Sequence, residues 1–227
     1  MDENKDAVLD TDEIKEETIK TAKEVKETIK NVDFKNDAKA TKGFITEMIK
    51  EPLERLKVIA SGNDNKDFKF AIILVVIWVL CVGITNLSSY STLSSFFSYG
   101  LSRHILSVIK AMAAPIVGLV AMSLVVFYVK KEEKKSFITI LTALTAAKIP
   151  TIFARVLMLL TLISSKISSP LSYVSSFCSV MSTVFTFFAL KELCGEEDNS
   201  KFFKKFIIIE AIYIAVAFAI SYLEIYI

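Results

Sequence analysis

FAIILVVIWVLCVGITNL, residues Phe70–Leu87, runs for eighteen positions without one charged side chain. A run of that kind reads as a helix that crosses a lipid bilayer, whose hydrocarbon core takes ~20 residues to span. Four more stretches of similar character follow: Ile105–Val129, Phe137–Ile163, Leu171–Leu190 and Phe206–Tyr226. A soluble domain of 227 residues has no need of five such runs. The predicted fold class is therefore all-α: a polytopic membrane protein with a five-helix transmembrane bundle and a charged N-terminal cytoplasmic helical tail.

The basic residues predict the orientation. Lys50, Arg55, Lys57, Lys66 and Lys69 precede the first run. Lys130, Lys131, Lys134 and Lys135 follow the second, and Lys191, Lys201, Lys204 and Lys205 follow the fourth. The two remaining loops carry only Arg103 and Lys166. Basic residues in short loops stay on the cytoplasmic side. The expected topology is an amino terminus inside, five crossings and a carboxyl terminus outside, in the plasma membrane. The opening MDENKDAVLD has neither a basic head nor an apolar run, so no cleavable signal is expected.

The net charge of +2 conceals a split. Residues 1–68 carry 13 basic and 17 acidic side chains, and residues 69–227 carry 14 and 8. The aromatics sit in the apolar runs and not on a basic face, which argues against nucleic acid as a partner. The expected division is a charged tail over 1–42, an amphipathic interfacial helix over 43–68 and a membrane domain over 69–227.

Within the tail, TDEIKEETIKTAKEVKETIKNV (residues 11–32) favours helix, with no Gly or Pro. Ile14 precedes a narrow seam of Ala22, Val25, Ile29 and Val32 at three–four spacing. Two readings follow: a solvated helix on a tether, or a docking helix for a partner or a second copy. The segment NVDFKNDAKATKG reads as linker. In GFITEMIKEPLERLKVIA, the residues Phe44, Met48, Leu53, Leu56 and Ile59 fall near one side, and Pro52 kinks the helix or starts a second one. Such a helix ahead of a span lies in the membrane interface, apolar side down, or packs as a lid on the bundle.

Charges inside spans are costly and mark functional or structural sites. Lys110 sits near a span end, where its stem snorkels to the headgroups. Lys148 and Arg155 fall in the third run, which is long and interrupted by Pro150: one kinked helix, or two pieces. Glu210 enters the fifth run beside a small-residue ladder, Ala211, Ala215 and Ala219, and a second ladder, Ala114 and Gly118, flanks Pro115 in the second. Ladders of that kind let helix backbones approach closely. Pro115 and Pro150 are the expected kinks. A structural ion pair between Lys148 and Glu210 is expected to tie the third span to the fifth.

Catalytic signals are thin. His104 is the single histidine, the serines of Leu87–Ser102 and Ser164–Ser182 belong to no triad pattern, and the cysteines Cys81, Cys178 and Cys194 match no metal or redox spacing. No enzyme activity, cofactor or metal is expected. Asn86-Leu87-Ser88 fits a glycosylation sequon but abuts the membrane and reads as chance.

MIKEPLERL ahead of the first run, the helix around Pro115, and SFITILTALTAAKIP leading into Pro150 resemble the Yip family of Rab-interacting membrane proteins, in its bacterial form. The resemblance covers roughly residues 44–227. Where eukaryotic members carry Asp-Leu-Tyr-Gly-Pro this chain has NDNKDFKF, and Ala146-Ala147 replaces their Gly-Tyr pair. The resemblance implies a five-helix bundle that works by recruiting partners or affecting the membrane. The expected function is a non-enzymatic scaffold or adaptor, with the bilayer and an unidentified cytoplasmic protein as partners and a homo-oligomer left open. The alternative is a small transporter or channel subunit with Lys148, Arg155 and Glu210 along a polar path.

Overall fold

Long apolar runs satisfy their own backbone only as helices, and the computed structural model is helical throughout its described residues, 11–62, 67–89, 101–129, 135–195 and 198–226. Helix α1 covers Thr11–Asn31, α2 Phe34–Lys50, α3 Pro52–Ser61, α4 Phe68–Ser89 and α5 Leu101–Val129. The third apolar run divides into α6 (Phe137–Ala147) and α7 (Ile149–Met158), followed by two short 3₁₀ turns. Helix α8 covers Ser168–Leu193 and α9 Asn199–Tyr226. Expectations that rest on residues 63–66, 90–100 and 130–134, or on the side chains of Ile14, Glu16, Lys20, Arg103, His104 and Ala219, lie outside the described residues.

Among the described residues, three helices are long and apolar enough to cross a membrane: Phe68–Ser88, Ile105–Tyr128 and Ser165–Leu193. A fourth is obtained if Phe137–Ala147 and Ile149–Leu162, bent by 49°, form one broken span. The bend sits at Lys148, and Pro150 lies in the first turn of α7, where a missing N–H costs nothing. Pro52 likewise opens α3. At Pro115, in contrast, α5 continues as one helix through the expected kink.

Packing is concentrated at the lysine-flanked end of the helices. The main buried cluster joins Leu119, Met122 and Val126 of α5, Ala189, Leu190 and Leu193 of α8, and Phe202 and Ile209 of α9 around α6. Helix α6 is buried from Ile138 to Ala147 except at Leu141, so it is covered on every side. A helix apolar all round is one that sits in an interior. Two of its threonines settle their hydroxyls locally: Thr142 donates to Ile138 O (2.7 Å) and Thr145 to Leu141 O (2.8 Å). Toward the opposite end, large apolar side chains stay exposed, among them Leu80, Leu87, Ile109, Ile163 and Phe177. Such an outward apolar surface suits lipid and is unfavourable in water.

The interfacial placement of residues 43–60 is corrected by the structure. Phe44, Met48, Leu56 and Ile59 are buried in the main cluster, Leu56 at 0% exposure, and only Leu53 points outward at 45%. Helix α3 lies across α6 and α8, and α2 packs on α4. The apolar side that would have faced lipid finds protein instead, because the ends of α6 and α8 present an apolar surface at that level. The expected linker is also helical from Phe34 onward, and α2 runs across residue 42 without a break. Asp33 caps it: its carboxylate accepts from the N–H groups of Lys35 (3.1 Å) and Asn36 (3.2 Å). Asp37 accepts the Asp33 N–H in return and pairs with Lys69 at the start of α4.

Candidate functional site

Two groups of polar side chains stand out from this apolar frame. The first is the break between α6 and α7. Lys148 occupies the junction, half-buried, with its backbone N–H bonded to Thr145 O at 3.0 Å. The first turn of α7 needs partners for its free N–H groups. Ser182 of α8, 2% exposed, supplies one: its Oγ accepts from the Thr151 N–H (3.1 Å) and from the Thr151 hydroxyl (2.8 Å). Thr186 in turn donates to Ser182 O at 2.7 Å. Lys148 and Glu210 of α9 lie near enough for their charges to interact. They do not come within ion-pair distance, so the expected Lys148–Glu210 contact is a looser coupling across the α6–α9 gap. Tyr213 lies one turn on from Glu210, and its hydroxyl would lie 3.0 Å from a Cβ placed at Gly118.

The other residues singled out in the sequence are not gathered there. Arg155 is exposed, on the far side of the bend from Lys148. Ala211 and Ala215 are exposed on α9, and Ala114 is exposed on α5. Correcting the ladder reading, these alanines are not in helix–helix packing. Glu210 and Tyr213 turn toward the bundle and Ala211 away from it, as adjacent helix positions 100° apart must. Gly118 does meet another helix, at Tyr213. The closest small-residue approach is at Gly83, where an added Cβ would fall 2.8 Å from the Met112 sulfur.

The second group is an ion cluster that locks α2 and α3 to α4. Arg55 reaches both carboxylate oxygens of Asp67 (3.0 and 3.1 Å) from one terminal nitrogen. Its Nε stands 3.3 Å from Glu47 but is misaligned for a hydrogen bond, so that contact is electrostatic only. The guanidinium also lies over the Phe44 ring, 5.3 Å from its centroid. Burial raises the Asp67 carboxyl above its ordinary range; Arg55 opposes the rise and Glu47 adds to it. Beside this cluster, the end of α3 is stitched to the start of α6. Ser136 caps α6 through the Thr139 N–H (3.1 Å), and Thr139 donates to Gly62 O (3.3 Å). Lys135 reaches Ser61 O.

Sequence reasoning missed Arg55–Asp67 and Thr151–Ser182. An arginine inside an otherwise amphipathic pattern, and an aspartate directly before an apolar run, were the available signals for the first. Nothing in the serine-rich α8 sequence distinguishes Ser182. Most neighbouring hydroxyls bond within their own helix, as Ser176 and Thr183 do. Among the described residues no three His, Cys, Asp or Glu side chains gather as a metal site. No family model, no curated protein and no solved structure matches this chain.

Proposed function

We propose that this chain is a non-enzymatic membrane scaffold or adaptor of five crossings, resembling the Yip family, with its amino terminus cytoplasmic. The single observation that carries the reading is the closed, ion-locked pole. Helices α2 and α3 cap the lysine-flanked end of the bundle through Arg55 and Asp67, while α1 turns Lys23, Lys26, Glu27 and Lys30 outward. A plugged bundle that displays a charged helix suits docking better than passage of a solute. The fifth crossing in this reading is α9, whose Phe206–Tyr226 run is of spanning length.

The test is photo-crosslinking in native membranes from positions 23 and 27, with an excess of free peptide covering residues 11–31 as the competing control. A discrete protein adduct that disappears in the control supports the adaptor. No adduct from either position would overturn it. The second reading, a transporter or channel subunit, is favoured by one observation, the broken helix at Lys148 near Glu210. Discontinuous helices of this kind hold ions and substrates in transporters. Solute flux in proteoliposomes that is lost in Lys148→Met and Glu210→Gln would put that reading first.

A further inference from the structure

Helix α1 leans on the bundle through Val25, which touches a small cluster of Phe68, Ala71 and Ile138 at the starts of α4 and α6. That footing leaves a gap beside α5. The gap is a groove of about 620 Å³, walled by Val25 and Ile29 on one side and by Leu124, Phe127 and Phe137 on the other. Its rim carries Lys26 and Lys30, four apart on α1 and both exposed. Apart from Phe137 of α6, the far wall belongs to the last turns of Ile105–Tyr128, a segment of membrane-crossing length and composition. The groove therefore opens where that helix leaves the hydrocarbon, at the end of the molecule richest in lysine.

Three properties select the occupant. The walls are apolar, so a hydrocarbon chain is preferred over a polar solute. The volume falls in the range of about 300–1,000 Å³ that small-molecule sites occupy. Among the described residues, the charged side chains lining the groove are Lys26 and Lys30, which suit an anionic headgroup held at the bilayer surface. We propose that the groove between α1 and the end of α5 holds one acyl chain of an anionic phospholipid, with Lys26 and Lys30 against its phosphate. The ammonium groups sit at headgroup level while the chain runs between Val25 and Leu124. Tyr128, 46% exposed at the groove edge, brings a hydroxyl to the same level. Occupancy would set the angle of α1 on the bundle, so the charge of the surrounding leaflet would control how the tail is presented. This inference rests on the membrane reading and is independent of any protein partner.

The test uses the full-length protein in nanodiscs of phosphatidylcholine, alone or doped with phosphatidylglycerol. Co-purifying lipid is counted by native mass spectrometry. Wild type should retain phosphatidylglycerol in preference to phosphatidylcholine. Lys26→Gln with Lys30→Gln, at exposed positions that touch no core residue, should lower that preference by roughly thirtyfold, the effect of two lysines near an anionic surface. Leu124→Trp, which fills the groove, should abolish retention of either lipid, and Lys35→Gln outside the groove should change nothing. Soluble glycerol 3-phosphate should fail to displace the lipid, because it lacks the chain. Unchanged preference in the double lysine variant would overturn the proposal without touching the fold. Displacement by glycerol 3-phosphate, or a doubled mass with no lipid bound, would do so too, pointing to a free-phosphate site or a second copy.

Discussion

At the residue scale, Arg55 is the side chain with most at stake. It holds Asp67, faces Glu47 and covers Phe44, all while only 22% exposed. Arg55→Ala should destabilise detergent-solubilised protein by about 2 kcal/mol, since Asp67 is left half-buried without its partner. Arg55→Lys should recover only part, because an ammonium on a flexible stem does not hold Asp67 and lie over Phe44 as the planar guanidinium does. Thermal unfolding measures both, and an Arg55→Lys variant as stable as wild type would mean that the geometry of the guanidinium is irrelevant. Lys148 and Glu210 invite a different experiment. Each charge reversal should lower the unfolding temperature, and the double swap should return part of the loss but not all of it. Full recovery would indicate a direct ion pair, and strictly additive losses would mean no coupling. That Lys148 lies near Glu210 was legible from sequence, because the depth of each in its apolar run is a matter of counting. That they form no ion pair was not, since it depends on how the helices pack.

Elements are held by their ends. The start of α7 depends on Ser182, which is buried and accepts twice from Thr151. Ser182→Ala should cost about 1–3 kcal/mol in unfolding measurements, the penalty for unpartnered buried donors. Ser179→Ala, at an exposed position one turn earlier, should stay within about 0.5 kcal/mol. Equal effects would remove Ser182 from its capping role. At the other end of the chain, the amides of α2 hold the Asp33 carboxyl below its ordinary value of 3.8, the Asn36 N–H first among them. A lowered folded-state value gives stability that is present above the unfolded value and lost as pH falls through the folded one. The first-turn amides of α2 should therefore exchange faster with solvent below about pH 4, after correction for intrinsic rates. Asp33→Asn should remove the pH dependence while keeping much of the cap. The cap was hidden in a segment that reads as linker, because helix propensity is weak there and Asp33 acts through backbone geometry.

For the whole molecule, orientation is the first quantity to measure. A fluorescent protein active only in the cytoplasm should work when fused after Ser136 or Ser200, and an export-dependent reporter should work after Ile227. Activity on the opposite side at any of the three points would overturn the five-crossing arrangement. The uneven packing has its own consequence. Apolar side chains are buried at the lysine-flanked pole and exposed toward the other end, so the two ends differ in what covers them. Leu56 and Leu190 sit at 0% exposure in the pole, whereas Leu80 and Leu87 are 51% and 54% exposed. A lipid-facing leucine and a core leucine look identical in a hydropathy pattern.

That identity separates what each level of description determined. Hydrophobicity adds along the chain, and a helix satisfies its own backbone, so the helical state of the apolar runs was readable from sequence, whereas the division of the third run into two bent helices was not. Proline and lysine positions likewise marked the starts of α3 and α7 and the basic end of the bundle. Which face of each helix meets protein was decided only in three dimensions. In a membrane the lipid is as apolar as a leucine core, so burial is not encoded by polarity. Ala211 and Ala215 of α9 face outward, the amphipathic side of α2 and α3 faces inward, and Ser182 partners the start of the broken helix. Each outcome depends on which neighbour stands opposite, a property of the packed arrangement and not of the residue.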